Sequence, residues 1–172
     1  MSVYIALGAN LSSCNSAGVS ISPKQTFEAA LIELSNRGLE TVAMSGLWQS
    51  PAWPAGSHQP DYINACTQIS TPYSAKGTLE ILHEVEALFG RTRNIKNEAR
   101  PLDLDLLDFK GEVISDSRLQ VPHPRMLSRA FVLFPLSEVA PHWTDPIEKR
   151  AIRDWIARLA LADVDAIKRL TS

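Results

Sequence analysis

The sequence has few cysteines, and its glycines and histidines are widely scattered. Two cysteines, Cys14 and Cys66, supply neither a disulfide framework nor a thiolate metal site. The eight glycines stand too far apart to form a phosphate-binding loop or a dinucleotide-binding fingerprint. The four histidines lack zinc-ligand spacing, and no Gly-x-Ser-x-Gly elbow is present for an acyl-transfer nucleophile. These absences exclude the commonest zinc, dinucleotide-binding and serine-hydrolase sites.

The sequence also lacks a basic excess and a long hydrophobic run. Its 17 basic and 19 acidic residues give a net charge of −2, which argues against nucleic acid as a partner. The longest apolar runs, such as residues 3–7, fall far short of the roughly 20 residues that cross a bilayer. No basic region precedes the first apolar run, so no secretory signal is predicted. We expect a cytoplasmic monomer that binds neither membranes nor nucleic acid.

What is present is the composition of a folded domain. The 172 residues, of which 45% are hydrophobic, can build one core, so we expect one domain over 1–172. Ser22, Pro23 and Gln25 form a capping box with proline at the first helical position, and Gly38 supplies the stop. The predicted elements are a strand over 3–7, a helix over 23–38, strands over 41–48 and 62–70, a helix over 79–90 and a strand over 101–109.

The order of these elements is β-α-β-β-α-β, which favours a ferredoxin-like α+β sandwich. Residues 11–21, rich in Ser and Asn, are expected to form a surface loop. Two further helices are predicted after residue 120, over 126–136 and 146–161. The second opens with the capping pattern Asp145-Pro146 and Glu148.

The most informative segment is Arg100-Pro-Leu-Asp-Leu-Asp-Leu-Leu-Asp108. Alternate side chains of a strand share a face, so Asp103 and Asp105 are expected on one face, about 6–7 Å apart along the backbone. The intervening leucines then face the core. Paired carboxylates on a rigid strand suit Mg²⁺, which also takes water and substrate phosphates as ligands. An amphipathic strand with solvated acids remains the alternative.

Basic side chains flank these carboxylates on both sides although the whole chain is slightly acidic. Arginine presents a planar fork that suits phosphate oxygens. Paired carboxylates between arginines therefore predict a metal–polyphosphate site, the alternative being a solvated charged loop. The flanking basic residues are Arg91, Arg93, Lys96, Arg100, Arg118, Arg125 and Arg129.

A second group of residues suits a flat heteroaromatic ligand. Tyr62 and Asn64 stand two apart, so an aromatic face and an amide edge would lie on the same side of one strand. Pro51, Trp53 and Phe131 could add walls to such a pocket. The simpler interpretation of the same pattern is a tyrosine in the core beside an asparagine in a turn.

Five segments carry a family resemblance, and together they are far more specific than any one alone. The chain resembles the 6-hydroxymethyl-7,8-dihydropterin pyrophosphokinase family over about residues 3–140, with 141–172 as an appended helical segment. The segments are Ala6-Leu-Gly-Ala-Asn-Leu11, Gln59-Pro-Asp-Tyr-Ile-Asn-Ala65, Arg100-Pro-Leu-Asp-Leu-Asp-Leu106, Val121-Pro-His-Pro124 and Arg129-Ala-Phe-Val-Leu133.

The resemblance implies a ferredoxin-like enzyme of folate biosynthesis that transfers pyrophosphate from ATP to the hydroxymethyl oxygen of the pterin and releases AMP. Asp103 and Asp105 would hold two Mg²⁺ ions, and Arg91 and Arg100 would stabilise the charge that develops in the transition state. The residues implied to bind the pterin are Ser50, Pro51, Trp53, Tyr62, Asn64 and Phe131.

The resemblance also implies a nucleotide site and two lids. The loops 50–58 and 91–100 would close over the substrates. The residues implied to contact ATP are Leu79, His83, Glu86, Arg91, Arg93, Arg100, Leu106, Arg118, His123 and Arg129.

Two other functions stay open at this stage. Asn97 and Glu98 depart from the family pattern in the 91–100 loop, which leaves room for a degenerate homologue that binds pterin or nucleotide without turnover. A two-metal nucleotidyl transferase would use paired carboxylates too, but it would release pyrophosphate.

Overall fold

The computed structural model describes residues 2–14, 18–52, 58–91 and 99–171. A mainly antiparallel sheet forms its centre, in the order β10-β5-β6-β1-β7, with β4 also pairing with β6. The strands are β1 (Val3–Ala9), β2 (Ser13–Cys14), β3 (Ser20–Ile21), β4 (Glu40–Met44), β5 (Trp48–Ser50), β6 (Tyr62–Ser70), β7 (Asp103–Phe109), β8 (Ile114–Ser115), β9 (Gln120–Val121) and β10 (Lys168–Arg169).

Helices cover both faces of this sheet. They are α1 (Pro23–Ser35), α2 (Ala75–Leu88), α3 (Ala130–Val139), α4 (Ile152–Ile156) and α5 (Leu161–Asp165), with a 3-10 turn at Met126–Ser128. The order β1-α1-β4/β5-β6-α2-β7 confirms the predicted ferredoxin-like arrangement. In the described ranges, no helix combines the length and apolarity that a bilayer crossing requires.

Strand alternation in β1 divides the interior into two cores. Val3, Ile5 and Leu7 are buried against α1 and α2. The opposite side chains, Tyr4 and Ala6, pack with α3 in a second core. A sheet buried on both faces needs apolar residues in both phases, and this is why β1 reads as a continuous hydrophobic run.

The capping signal predicted for α1 is confirmed, and the structure adds a cap on α2. The Ser22 hydroxyl accepts from the Gln25 amide, and the Gln25 side chain accepts from the Ser22 amide, as predicted for a capping box. Gly38, at a φ of 83°, ends the segment that follows α1. Ser74 caps α2 by accepting from the Gly77 amide.

Several predicted boundaries are wrong. The helix predicted over 23–38 ends at Ser35, the helix predicted over 79–90 runs from Ala75 to Leu88, and the helix predicted over 126–136 is a 3-10 turn followed by α3. The strand predicted over 41–48 divides into β4 and β5, because the Ser45 hydroxyl accepts from the Cys66 amide and takes the chain out of the ladder. The predicted loop 11–21 contains the short β2–β3 pair. The strand predicted to begin at Pro101 begins at Asp103.

The helix predicted over 146–161 is also wrong in extent. The Asp145 carboxylate does accept from the amides of Ile147 and Glu148, as a capping residue would. However, Lys149 adopts a φ of 56°, and Thr144 then bridges to Ala151. The cap therefore closes a turn, and the short elements α4, α5 and β10 follow in place of the predicted helical segment.

Candidate active site

Asp103 and Asp105 project from one face of β7, as the alternation predicts. Asp103 lies opposite Gly8 and Asp105 opposite Ala6 in the antiparallel register with β1. Leu104 and Leu106 point the other way and are buried with α1 and α2. The strand therefore holds both carboxylates rigidly on the α3 side of the sheet.

Two arginines converge on Asp103. The Arg100 guanidinium donates to Asp103 Oδ2 at 2.9 Å, and Arg91 donates to Asp103 Oδ1. Arg91 also donates to Glu86, whose carboxylate is 1% exposed and accepts from the Leu104 amide at 2.7 Å. Glu86 therefore lies beneath the site, where it fixes both Arg91 and the start of β7.

Asn10 ties together three segments that border the site. Its Oδ1 accepts from the Arg100 amide at 2.8 Å, and its own amide and that of Leu11 donate to the Arg100 carbonyl. The Asn10 side chain also donates to Gln59 Oε1 and to the Pro60 carbonyl. Asn10 is 4% exposed. Its hydrogen bonds therefore fix the backbone of Arg100 independently of the contacts that the Arg100 side chain makes.

Asp105 and His123 form a second pair of titratable groups. His123 Nε2 lies 4.0 Å from Asp105 Oδ2, and Nδ1 accepts from the Arg125 amide. Displacement of water raises the pKa of Asp105, and the neighbouring Asp103 carboxylate raises it further. Burial lowers the pKa of His123. The Asp103 and Asp105 carboxylates repel each other when both are ionised, so a bound cation would stabilise the ionised pair.

Neutral and aromatic groups form the other half of the site. The Asn64 amide donates to Ser50 Oγ at 2.9 Å and to the Trp48 carbonyl at 3.3 Å. Tyr62 lies on the same face of β6, and burial raises its pKa. Gly8 leaves the floor open: a Cβ there would lie 3.7 Å from Asn64 Oδ1 and 3.8 Å from the Tyr62 ring.

The remaining predicted pocket residues lie around this floor. Pro51 is exposed beside Ser50. Phe131, at the start of α3, packs in the second core, and the Arg129 guanidinium lies 5.5 Å from the centre of its ring. Burial, and then the neighbouring Arg125, lowers the pKa of Arg129. Trp53, Arg93 and the atypical residues of the 91–100 loop lie outside the described residues.

An open cleft of about 490 Å³ runs outward from Asp105. It brings together five residues predicted from the resemblance to contact ATP: Leu79, His83, Leu106, Arg118 and His123. Its lining also includes residues that the sequence analysis did not single out: Asp116, Ser117, Leu119, Gln120 and Pro124. The cleft therefore places Asp105 at the border of a region large enough for a nucleotide.

Several structural partners of the site were missed in the sequence. Asn10 and Gly8 lie within one of the recognised segments, but only their position between β6 and β7 shows what they do. Asp116 stands in the connection between β8 and β9, where its carboxylate binds Lys76 of α2 at 2.9 Å and accepts from the Arg118 and Leu119 amides. These contacts hold the pKa of Asp116 at about 2. No spacing rule indicates a contact of this kind.

Comparisons with known proteins identify the family of this chain. Residues 4–141 match the family model of 7,8-dihydro-6-hydroxymethylpterin-pyrophosphokinase. Curated proteins named 2-amino-4-hydroxy-6-hydroxymethyldihydropteridine pyrophosphokinase are similar to this chain. The Methylorubrum extorquens protein is 31% identical over 96% of this chain and 98% of its own length. The Pseudomonas aeruginosa protein is 38% identical over 81% of this chain and 80% of its own.

Two further matches cover less of the other protein. The Synechocystis protein of the same name is 40% identical over 73% of this chain, and the match spans 64% of its own length. A solved structure described as HPPK-DHPS in complex with substrates superimposes with a TM-score of 0.68 at 12% identity, covering 99% of this chain and 46% of that one. This last likeness concerns the fold. From the family model and the relatives together, the chain belongs to the 7,8-dihydro-6-hydroxymethylpterin-pyrophosphokinase family.

Proposed function

We propose that this protein transfers pyrophosphate from ATP to the hydroxymethyl oxygen of 6-hydroxymethyl-7,8-dihydropterin and releases AMP, as a step of folate biosynthesis. The observation that carries the proposal is the convergence of Arg91 and Arg100 on Asp103, between an open cleft and an uncharged aromatic pocket. Family membership removes the nucleotidyl transferase from consideration. A degenerate binder remains the competing hypothesis.

The pterin binds over Gly8, in the space that a side chain would fill. Tyr62 and Phe131 offer their rings to its two faces. Because the Asn64 NH₂ is held by Ser50 and Trp48, its Oδ1 is left to accept from the pterin's amino edge. Pro51 forms the wall beside Ser50, where the family resemblance also implies Trp53.

The triphosphate lies between the arginines and His123. Arg91 and Arg100 neutralise charge as the β-phosphorus is attacked, and the catalysis consists of positioning and electrostatic stabilisation. Arg93, Arg118, His123 and Arg129 contact the phosphates or ribose, and Leu79, His83 and Leu106 line the adenine end. Glu86 acts on the nucleotide through Arg91, because its own carboxylate is buried.

Asp103 and Asp105 fit Mg²⁺ by their chemistry. Two adjacent carboxylates form a hard oxygen donor set, and magnesium commonly completes its shell with water and substrate phosphates. Asp103 and Asp105 would hold two such ions, which would neutralise the charge of the ATP phosphates. For Asp103 to bind one, Arg91 and Arg100 must move from its carboxylate to the phosphates.

All the groups assigned to substrates come from one chain of one domain, which fits a monomer. Both thiols are free, which fits a cytoplasmic location.

The test is to incubate purified protein with ATP, MgCl₂ and 6-hydroxymethyl-7,8-dihydropterin and to separate the nucleotides by chromatography. Pterin-dependent AMP, without ADP or free pyrophosphate, is the expected result. An Arg100→Ala variant, checked for folding by circular dichroism, is the matched control. Folded wild-type protein that binds both substrates and yields no AMP would establish the degenerate binder instead.

A further inference from the structure

The C-terminal segment adds a strand to the pterin side of the sheet. In β10, Lys168 pairs with Gln49 and Arg169 with Trp48, and the Leu170 amide donates to the Leu47 carbonyl at 2.8 Å. This segment lies beyond residue 141, where the match to the family model ends.

The Glu138 carboxylate adds a side-chain link between this strand and α3. Glu138, on α3, accepts from Arg169 Nε at 2.7 Å, from the Gly46 amide at 2.6 Å and from Trp48 Nε1 at 3.2 Å. The ring of Trp48 also packs against that of Phe134, at 5.3 Å between ring centres. Glu138 of α3 and Arg169 of β10 therefore form an ion pair beside β5, and Glu138 also binds β5 directly at Trp48.

The strand held in this way is the one that orients Asn64. Ser50 and the Trp48 carbonyl, both in β5, accept the two hydrogen bonds of the Asn64 NH₂. β5 has only three residues and pairs with β6 on one side, so β10 is what satisfies its other edge. A strand this short is weakly held when one of its edges has no hydrogen-bonding partner.

We propose that Arg169 and Glu138 are positioning residues for the pterin site, which act by clamping β5 and so fixing the Asn64 side chain. The inference rests on the proposed function for the identity of the ligand. It assigns the C-terminal strand to the pterin and not to ATP, because in the part of the chain that the structure describes no contact of β10 reaches the cleft beside Asp105.

The clamp can be disturbed in two independent ways. Arg169→Ala removes the guanidinium. Gly46→Ala keeps it but places a Cβ 2.8 Å from Arg169 Nη2, so the guanidinium must move. Arg169→Lys keeps the positive charge and should therefore preserve part of the interaction with Glu138. Arg153→Ala is the matched control, because Arg153 is 86% exposed and pairs only with its neighbour Asp154 among the described residues.

Two measurements are made on each variant: the KM for pterin and for ATP, and amide hydrogen exchange in residues 47–50. We expect Arg169→Ala to raise the pterin KM roughly three- to fivefold with the ATP KM unchanged, and to speed exchange in 47–50. Gly46→Ala should do the same to a smaller extent, Arg169→Lys should lie nearer wild type, and Arg153→Ala should change neither quantity.

Two results would overturn the proposal. One is unchanged exchange in residues 47–50 together with an unchanged pterin KM. The other is an equal rise in both KM values accompanied by a fall in Tm, which indicates a general loss of stability. If wild-type protein fails to produce AMP, the proposed function fails, and the exchange result with pterin binding by calorimetry still decides whether the clamp positions Asn64.

Discussion

The two halves of the site are built by opposite means. Around Asp103 and Asp105, charged side chains contact one another directly, and each holds its neighbour in place. Around Asn64 the groups are neutral, and their positions come from the pairing of β5 with β6. Changes in the charged half should therefore affect the chemical step and the metal-bound nucleotide, whereas changes in the neutral half should affect pterin binding alone.

The largest expected effect is in the charged half. Arg100→Ala should lower turnover roughly 10²–10³-fold while ATP affinity stays close to wild type, because a contact made chiefly in the transition state affects the rate and not ground-state binding. Steady-state kinetics with equilibrium binding of ATP would measure both. A large loss of ATP affinity with normal turnover would instead place Arg100 among the ground-state ligands.

Loss of a carboxylate should act through magnesium. Asp105→Asn should weaken Mg²⁺-dependent ATP binding roughly 10²-fold, with little change in the weak binding measured in EDTA. Isothermal titration with and without MgCl₂ gives both values. Equal affinities for wild type and variant in MgCl₂ would remove Asp105 from the metal site.

The neutral half should respond differently. Tyr62→Ala removes one face of the proposed stacking pair and should weaken pterin binding roughly tenfold with ATP binding unchanged. Tyr62→Phe is the control, since it keeps the ring and loses only the hydroxyl near Arg100. Parallel losses of both ligands in Tyr62→Ala would indicate a folding defect.

The smallest effect concerns stability. The folded-state pKa of Asp105 is raised, so its ionised form disfavours the fold above that pKa, and the penalty disappears as the pH falls through it. The substrate-free Asp105→Asn protein should therefore melt about 1–2 °C above wild type at pH 7.5, and this difference should shrink as the pH falls through the raised pKa and vanish at about pH 3, below the ordinary value of 3.8. Scanning calorimetry at the two pH values tests this, and a difference that grows on acidification would contradict it.

Local sequence signals predicted the secondary structure well where interactions between sequence neighbours determine it. The capping box at Ser22 and the alternation at Asp103 and Asp105 depend on neighbours in sequence, and both are found as expected. The Asp145 cap was misread because the bridge from Thr144 to Ala151 outweighs the local preference for a helix. A terminal strand as short as β10 has no periodicity to reveal it.

The site shows the same division. The carboxylates and arginines stand close together in the sequence, so the sequence alone predicts a metal–polyphosphate site. The burial of Glu86 beneath Arg91, and the contacts of Asn10 with Pro60 and Arg100, join segments many residues apart. Only the register of the sheet brings these groups together.

Gly8 has a consequence for substrate size. It is paired with Asn64 on one side and Asp103 on the other, so the Cα atoms of these two residues stand two strand spacings apart, about 10 Å. Main-chain hydrogen bonds set this spacing between the two backbones, and no rotamer change can alter it. The sheet therefore limits the distance between the group that recognises the ring and the carboxylate beside the phosphates, and we expect an acceptor arm one carbon longer to fit that distance less well.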